Sequence, residues 1–320
     1  MLSGLEIAEW VMVGVIFAIL IALTIMLSTP QQAAQTFAGF FTIGYIPEGV
    51  SIALIAALAG FAGCGGMGNG VVTSYYRDKG LGMGAKVGAI PSIIRGRATT
   101  VSPWGRYPRV SPENTRRFKL WRKYAIADII GIFLLGSFIG MFLPCNLALS
   151  VIPIGTKMGG WDVAAFIGKY IMERIGYIGW VLVLITGFWV LFSTQLGQCD
   201  VPIRIITDIL WTSSERIRKV FKNDVKKLYY ILLTFEAIWM ISAFIIVYIY
   251  RISPLWWLIL LAIIGNVPMV AMAGVTIYVN NKFLPKEYKP SIWWLIALAL
   301  GFMFWMFLFV EAIAEILGLV

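Results

Sequence analysis

The residues best placed to do chemistry lie between Gly60 and Gly84, in the run GFAGCGGMGNGVVTSYYRDKGLGMG. Gly63, Gly65, Gly66, Gly68 and Gly70 fill five of eight consecutive positions inside an apolar stretch that begins near Val50. Each glycine costs a helix about 1 kcal/mol relative to alanine, so five together are expected to unwind it. Unwound backbone at membrane depth persists only where protein or a wet cavity satisfies its polar groups. Within the expected break stand Cys64, the soft thioether of Met67 and the neutral oxygen donor of Asn69. Freed carbonyls beside such side chains are how transporters with interrupted helices build ion sites near the midplane. The competing reading is close helix packing, for which Gly66 and Gly70 have the small-xxx-small spacing. Five glycines in eight are denser than packing needs, which favours the ion site.

The elements that must position this run are membrane spans. Sixty per cent of the 320 residues are hydrophobic, 13% are charged and the mean hydropathy is +0.85, a composition of the membrane class. Stretches of about 20 apolar residues cross a bilayer. They predict an all-α polytopic membrane protein, one transmembrane domain over residues 1–320, with about seven helices near 10–28, 49–75, 124–147, 176–200, 228–250, 254–280 and 291–318. The N-terminus carries Glu6 and Glu9 but no Lys or Arg before its apolar run. A secretory signal needs a basic start, so the first helix is expected to be a retained span.

Net charge is +10, and its distribution is informative. Of 26 Lys and Arg, all but Lys157, Lys169, Arg174 and Arg251 fall in 77–123, 204–227 or 281–290, which are alternate loops of the predicted topology. The positive-inside rule then predicts an integral protein of the plasma membrane, its N-terminus and the three basic loops cytoplasmic and its C-terminus outside. Such loops meet anionic lipid; nucleic acid is not an expected partner. The chain has no histidine, and Cys64, Cys145 and Cys199 lie in three different spans. Those facts disfavour bis-His haem, His-rich zinc sites and disulfide frameworks. With no nucleophile–base pair and no cofactor loop, the reading is not an enzyme and no cofactor is expected.

Further polar groups sit within or beside the spans. Asp128 lies near the cytoplasmic end of the third, Glu236 about two turns into the fifth, and Thr194 and Gln198 share a face of the fourth. Intramembrane acids are expensive and functional by default, so these are candidate pathway or proton-handling residues. Asn266 beside Pro268 is expected to interrupt the sixth span, because proline removes one backbone donor and frees a carbonyl. Glu315, near the external end of the last span, is expected to reach headgroup water. Pro30 and Pro47 are read as breakers in a linker after the first span, and Ser111 as an N-cap with Pro112 at the first helical position.

The stretch LAGFAGCGGMGNGVVTSYYRDKG resembles the sixth helix of the Nramp (natural resistance-associated macrophage protein) divalent-metal transporters. In that family an Ala-x-x-Met-Pro-His motif breaks the helix, and the alanine carbonyl and methionine sulfur bind metal. The resemblance implies that Cys64 supplies the backbone carbonyl and Met67 the thioether, with Gly68 in the proline's place and Asn69 in the histidine's. RKYAIADIIG, GFWVLFSTQLGQCDVPIRIITDILW and NVPM resemble family helices seven, eight and ten, in the same order. RDKG followed by GMG is most similar to the divergent, Nramp-related branch, which includes magnesium transporters. A glutamine ligand of some family members would fall near Leu260 and is absent.

The resemblance covers family helices five to eleven and implies the C-terminal part of a LeuT-like inverted-repeat fold. It lacks the Asp-Pro-Gly-Asn of helix one, which supplies the other half of the metal site. The implied substrate is a divalent cation, Mn²⁺- or Fe²⁺-like by the softness of Met67, or Mg²⁺ by the oxygen character of Asn69. Loss of the family's histidine leaves Asp128 and Glu236 to carry protons. The alternatives are a fragment, a split transporter whose separate chain brings Asp-Pro-Gly-Asn and helices one to four, and a non-transporting remnant.

Overall fold

The structure, a computed structural model, describes residues 4–46, 50–62, 66–90, 101–105, 109–153, 155–156 and 163–319. In chain order the helices are α1 (Gly4–Leu27), α2 (Pro30–Gly39), α3 (Ile52–Ala62), α4 (Gly66–Asp78), α5 (Pro112–Asp128), a π segment (Ile129–Leu134), α6 (Leu135–Val151), α7 (Val163–Ile175), α8 (Tyr177–Ser213), α9 (Glu215–Val220), α10 (Val225–Ile249), α11 (Pro254–Lys282) and α12 (Ile292–Ile316). No strand occurs among the described residues. Six helical stretches are long and apolar enough to cross a membrane: Ile7–Leu27, Pro112–Val151, Tyr177–Ser213, Val225–Ile249, Ile263–Lys282 and Ile292–Ile316. The chain is an all-α polytopic, integral membrane protein.

The expected span at 49–75 is represented by α3 and α4, of 11 and 13 residues. Residues 63–65 between them, Cys64 included, lie outside the described residues. Gly66, Gly68 and Gly70 are helical rather than unwound. At Gly70 a Cβ would stand 3.4 Å from Ile205 Cδ1, an ordinary contact, so α4 meets α8 there with room for a methyl group.

Another expected interruption is continuous helix, and the linker expected after the first span is itself largely helical. Pro268 lies inside α11, which runs through Gly265 and Asn266 without a break; helices tolerate proline at membrane depth when neighbours satisfy the freed groups. Pro30 begins a helix. Thr29 accepts from the Gln32 amide, the Gln32 side chain accepts from the Thr29 amide, and proline stands in the first turn, where its missing donor costs nothing. Ser111 caps α5 as expected, accepting from the Asn114 amide at 3.2 Å. The fourth span runs past its expected end at 200, through Pro202, to Ser213.

The chain divides into two packing units. The first comprises residues 1–48, 126–198 and 253–255. Its core joins Leu23 of α1 to Leu147 and Val151 of α6 and Ile171 of α7. There Asn146, fully buried, donates to Ser28 Oγ at 2.9 Å and accepts from Thr36 Oγ1 at 3.1 Å, tying α6 to the α1–α2 corner.

The second unit comprises residues 49–125, 199–252 and 256–320. It has two cores. One joins Ala53 and Ala56 of α3 to Ile263 of α11 and Leu308 and Ala312 of α12. The other joins Ile90 and Val101 to Ile203 and Trp211 of α8 and Val225, Leu228 and Tyr229 of α10.

Candidate functional site

The glycine-rich run is flanked in sequence by two helical arms, α3 before it and α4 after it, and the second unit holds each with different helices. On α3 the small side chains of Ala53 and Ala56 let α11 and α12 approach closely. The first amides of a helix have no internal partner and form its positive end. Glu315 of α12 meets that end: its Oε2 accepts from the Ala53 amide at 2.8 Å, and the carboxylate also bonds the Ser51 hydroxyl. Glu315 thus caps the start of α3, a partner the sequence did not point to.

One turn further along α3, Asn266 of α11 donates from Nδ2 to the Ala56 carbonyl at 3.3 Å. Asn266 is fully buried, and its Oδ1 has no hydrogen-bond partner among the described residues. A buried amide oxygen left unpaired costs about 1–3 kcal/mol. Proline two residues on also denies the Ile264 carbonyl its helical donor. Beside α3 the Asn266 amide thus presents a buried oxygen acceptor without a donor, a setting that suits water or a cation.

The second arm ends in a charged network. Arg204 of α8 forms a bidentate pair with Asp200 one turn earlier, Nε to Oδ2 at 3.0 Å and Nη2 to Oδ1 at 3.1 Å. Its Nη1 reaches Asp78 Oδ2, the last residue of α4, at 2.5 Å. Asp78 Oδ1 accepts from Arg77 Nε at 3.0 Å and from the Ile90 amide at 3.3 Å, and Arg77 Nη1 pairs with Asp208 Oδ2 at 2.7 Å. Tyr229 of α10 donates its hydroxyl to Asp200. The charged side chains are only 10–27% exposed.

Burying a charge costs several kcal/mol unless geometry and hydrogen bonds repay it, and here most donors and acceptors are matched. Three aspartates face two arginines, leaving one excess negative charge. Arg77 Nη2, Asp208 Oδ1 and Thr207 Oγ1 are buried without a partner among the described residues. Gly84 seals the turn behind the arm: a Cβ there would lie 2.6 Å from the Arg77 Cα and carbonyl oxygen.

The other candidate residues are distributed as follows. Met67 and Asn69 fall in the first turn of α4, with side chains outside the described residues, as is the side chain of Gln198 on α8. Glu236 is half-buried on α10. In the first unit, Asp128 is exposed and immediately precedes the π segment, a geometry frequent at functional sites. Thr194 is exposed, and its hydroxyl donates to the Val190 carbonyl of its own helix at 2.8 Å, which satisfies it locally. Asn266 and α3 come together; Asp128 and Glu236 fall in different units.

Arg204 and Asp200 are the residues that sequence reasoning missed. Arg204 counted there as a topology charge in a loop. The signal was the Asp–Arg pair at i, i+4 beside an RD dipeptide at the end of the preceding arm. Among the described residues no three His, Cys, Asp or Glu group as metal ligands. Compared with known proteins, the chain matches no family model, no curated protein and no solved structure.

Proposed function

We propose that this chain is part of a divalent-cation transporter, similar to the Nramp family and working by alternating access about the glycine-rich run that α3 and α4 flank. The observation that carries the reading is the separate anchoring of the two arms: α3 by Glu315 and Asn266, α4 by Arg204 and Asp208. Arms held by different helices can tilt independently, which is what rocking around a fixed midplane site requires. The Cys64 carbonyl, Met67 and Asn69 lie in that run and are the proposed cation ligands. Asn266 Oδ1 is a further oxygen donor on the flank of α3. A thioether in the set favours Mn²⁺ or Fe²⁺ over Mg²⁺.

A partner-dependent version, in which a second chain with Asp-Pro-Gly-Asn supplies the carboxylate that the resemblance lacks, is the form of this reading that the extraction below separates. The basic loops support a cytoplasmic N-terminus in the plasma membrane. The test is cation uptake into proteoliposomes by the complex gently extracted from native membranes, with its subunits identified by mass. Saturable Mn²⁺ uptake, with Met67→Ala lowering the preference for Mn²⁺ over Mg²⁺, supports the proposal. An assembly that moves neither ion refutes it, and unchanged selectivity removes Met67 from the site.

A further inference from the structure

A hollow of about 440 Å³ opens where α9 turns into α10, lined by Phe221, Lys222, Lys226, Lys227, Tyr230 and Ile231 among others. None of its three lysines is in an ion pair with an acidic side chain among the described residues, whereas nearby Lys219 pairs with Glu215 at 2.7 Å. Lys222 has φ 53° and Asn223 φ 58°, two consecutive non-glycine residues in the left-handed region. That conformation costs roughly 1–2 kcal/mol for an ordinary side chain, and strain of this kind collects at ligand sites. The bend turns the chain back toward the first turn of α10, where Lys226 and Lys227 stand.

The hollow continues into an apolar track. Ile231, on its wall, is followed on the same face of α10 by Phe235 and Ile238, which are 58%, 68% and 59% exposed. Cations at one end and a lipid-facing apolar stripe at the other match one ligand class, a molecule with an anionic headgroup and acyl chains. Exposed apolar residues line the other spans as well; what favours a lipid over a soluble anion here is that the stripe runs on from the wall of the lysine-lined hollow. We propose that this hollow binds the headgroup of an anionic phospholipid, with its acyl chains lying along Ile231, Phe235 and Ile238. Tyr230 packs edge-on against Tyr229 with ring centroids 5.2 Å apart, and Tyr229 donates to Asp200. The lipid site therefore adjoins the network that holds α4.

The experiment is native mass spectrometry of the intact, detergent-solubilised assembly titrated with phosphatidylglycerol, phosphatidylcholine or inorganic phosphate. At about 1 kcal/mol per lysine at a membrane surface, the triple variant Lys222→Gln/Lys226→Gln/Lys227→Gln should lose about a hundredfold in phosphatidylglycerol affinity. Phosphatidylcholine should bind weakly to both forms. The control Lys282→Gln/Lys286→Gln/Lys289→Gln, in another basic loop, should retain wild-type affinity and shows what general charge loss does. Equal losses in the two variants, or no loss in either, overturn the proposal. Inorganic phosphate binding as tightly as the lipid, with the same lysine dependence, would make this a soluble-anion site and overturn it as well.

Discussion

Glu315, five residues from the end of the chain, accepts a hydrogen bond at 2.8 Å from the amide of Ala53, in the first turn of the helix that leads into the glycine-rich run. The contact ties the last span to one arm only; the other arm, α4, is tied by Arg77 and Asp78 to α8. The two attachments should be separable by experiment.

Glu315→Ala removes the cap from α3 and should speed hydrogen exchange of the Ile52–Leu54 amides about fivefold or more, the size expected from a lost helix cap. The amides of α4 should be unaffected. Exchange measured on the intact assembly checks this, and equal acceleration in both arms would show that they move as one body.

Arg204→Met leaves Asp78 and Asp200 without their shared cation at a largely buried position. Removing one partner of a buried pair costs about 3–5 kcal/mol, so the thermal midpoint in detergent should fall markedly. Adding Asp78→Asn and Asp200→Asn removes the stranded charges and should recover more than half of that loss. A triple variant as unstable as the single one would mean that Arg204 contributes packing rather than charge pairing.

The glycines that flank the second arm should respond differently to an added methyl. Gly70→Ala meets only the tip of the Ile205 side chain, which can give, and gains about 1 kcal/mol of helix propensity, so stability should hold or rise. Gly70→Leu overfills the same contact and should cost about 1–3 kcal/mol. Gly84→Ala drives a Cβ into the Arg77 backbone, which has no such freedom, and should be the more damaging of the two alanine substitutions. Thermal unfolding of the three variants orders them directly.

The spans were legible because long apolar runs and clustered Lys and Arg are one-dimensional signals, and the cap at Ser111 was legible because its partners are three residues away. Pairing across helices was not. The bond from Glu315 to Ala53 joins positions 262 residues apart, and that from Asn266 to Ala56 joins positions 210 apart. Local rules misread Pro268, since whether proline interrupts a helix depends on its neighbours, whereas Pro30 does stand at a helix boundary, as the first residue of a new helix. They also overstated the unwinding at Gly66, Gly68 and Gly70, which are helical, because propensity is a weak prior that tertiary context overrides. Arg204 looked like a loop charge until Asp78 and Asp200 closed around it.

Asn266 gives the most direct test of the transport account, because its removal separates stability from function. Asn266→Ala gives up one hydrogen bond to Ala56, worth about 1 kcal/mol, and at the same time removes a buried oxygen that lacks a donor. Its thermal midpoint should therefore stay close to wild type. Mn²⁺ uptake by proteoliposomes containing the intact assembly should nevertheless fall at least about tenfold, which is the loss of roughly 1.4 kcal/mol of cation stabilisation. Wild-type uptake with a lowered midpoint would assign Asn266 to packing alone and contradict the reading of this flank of α3 as part of a cation path.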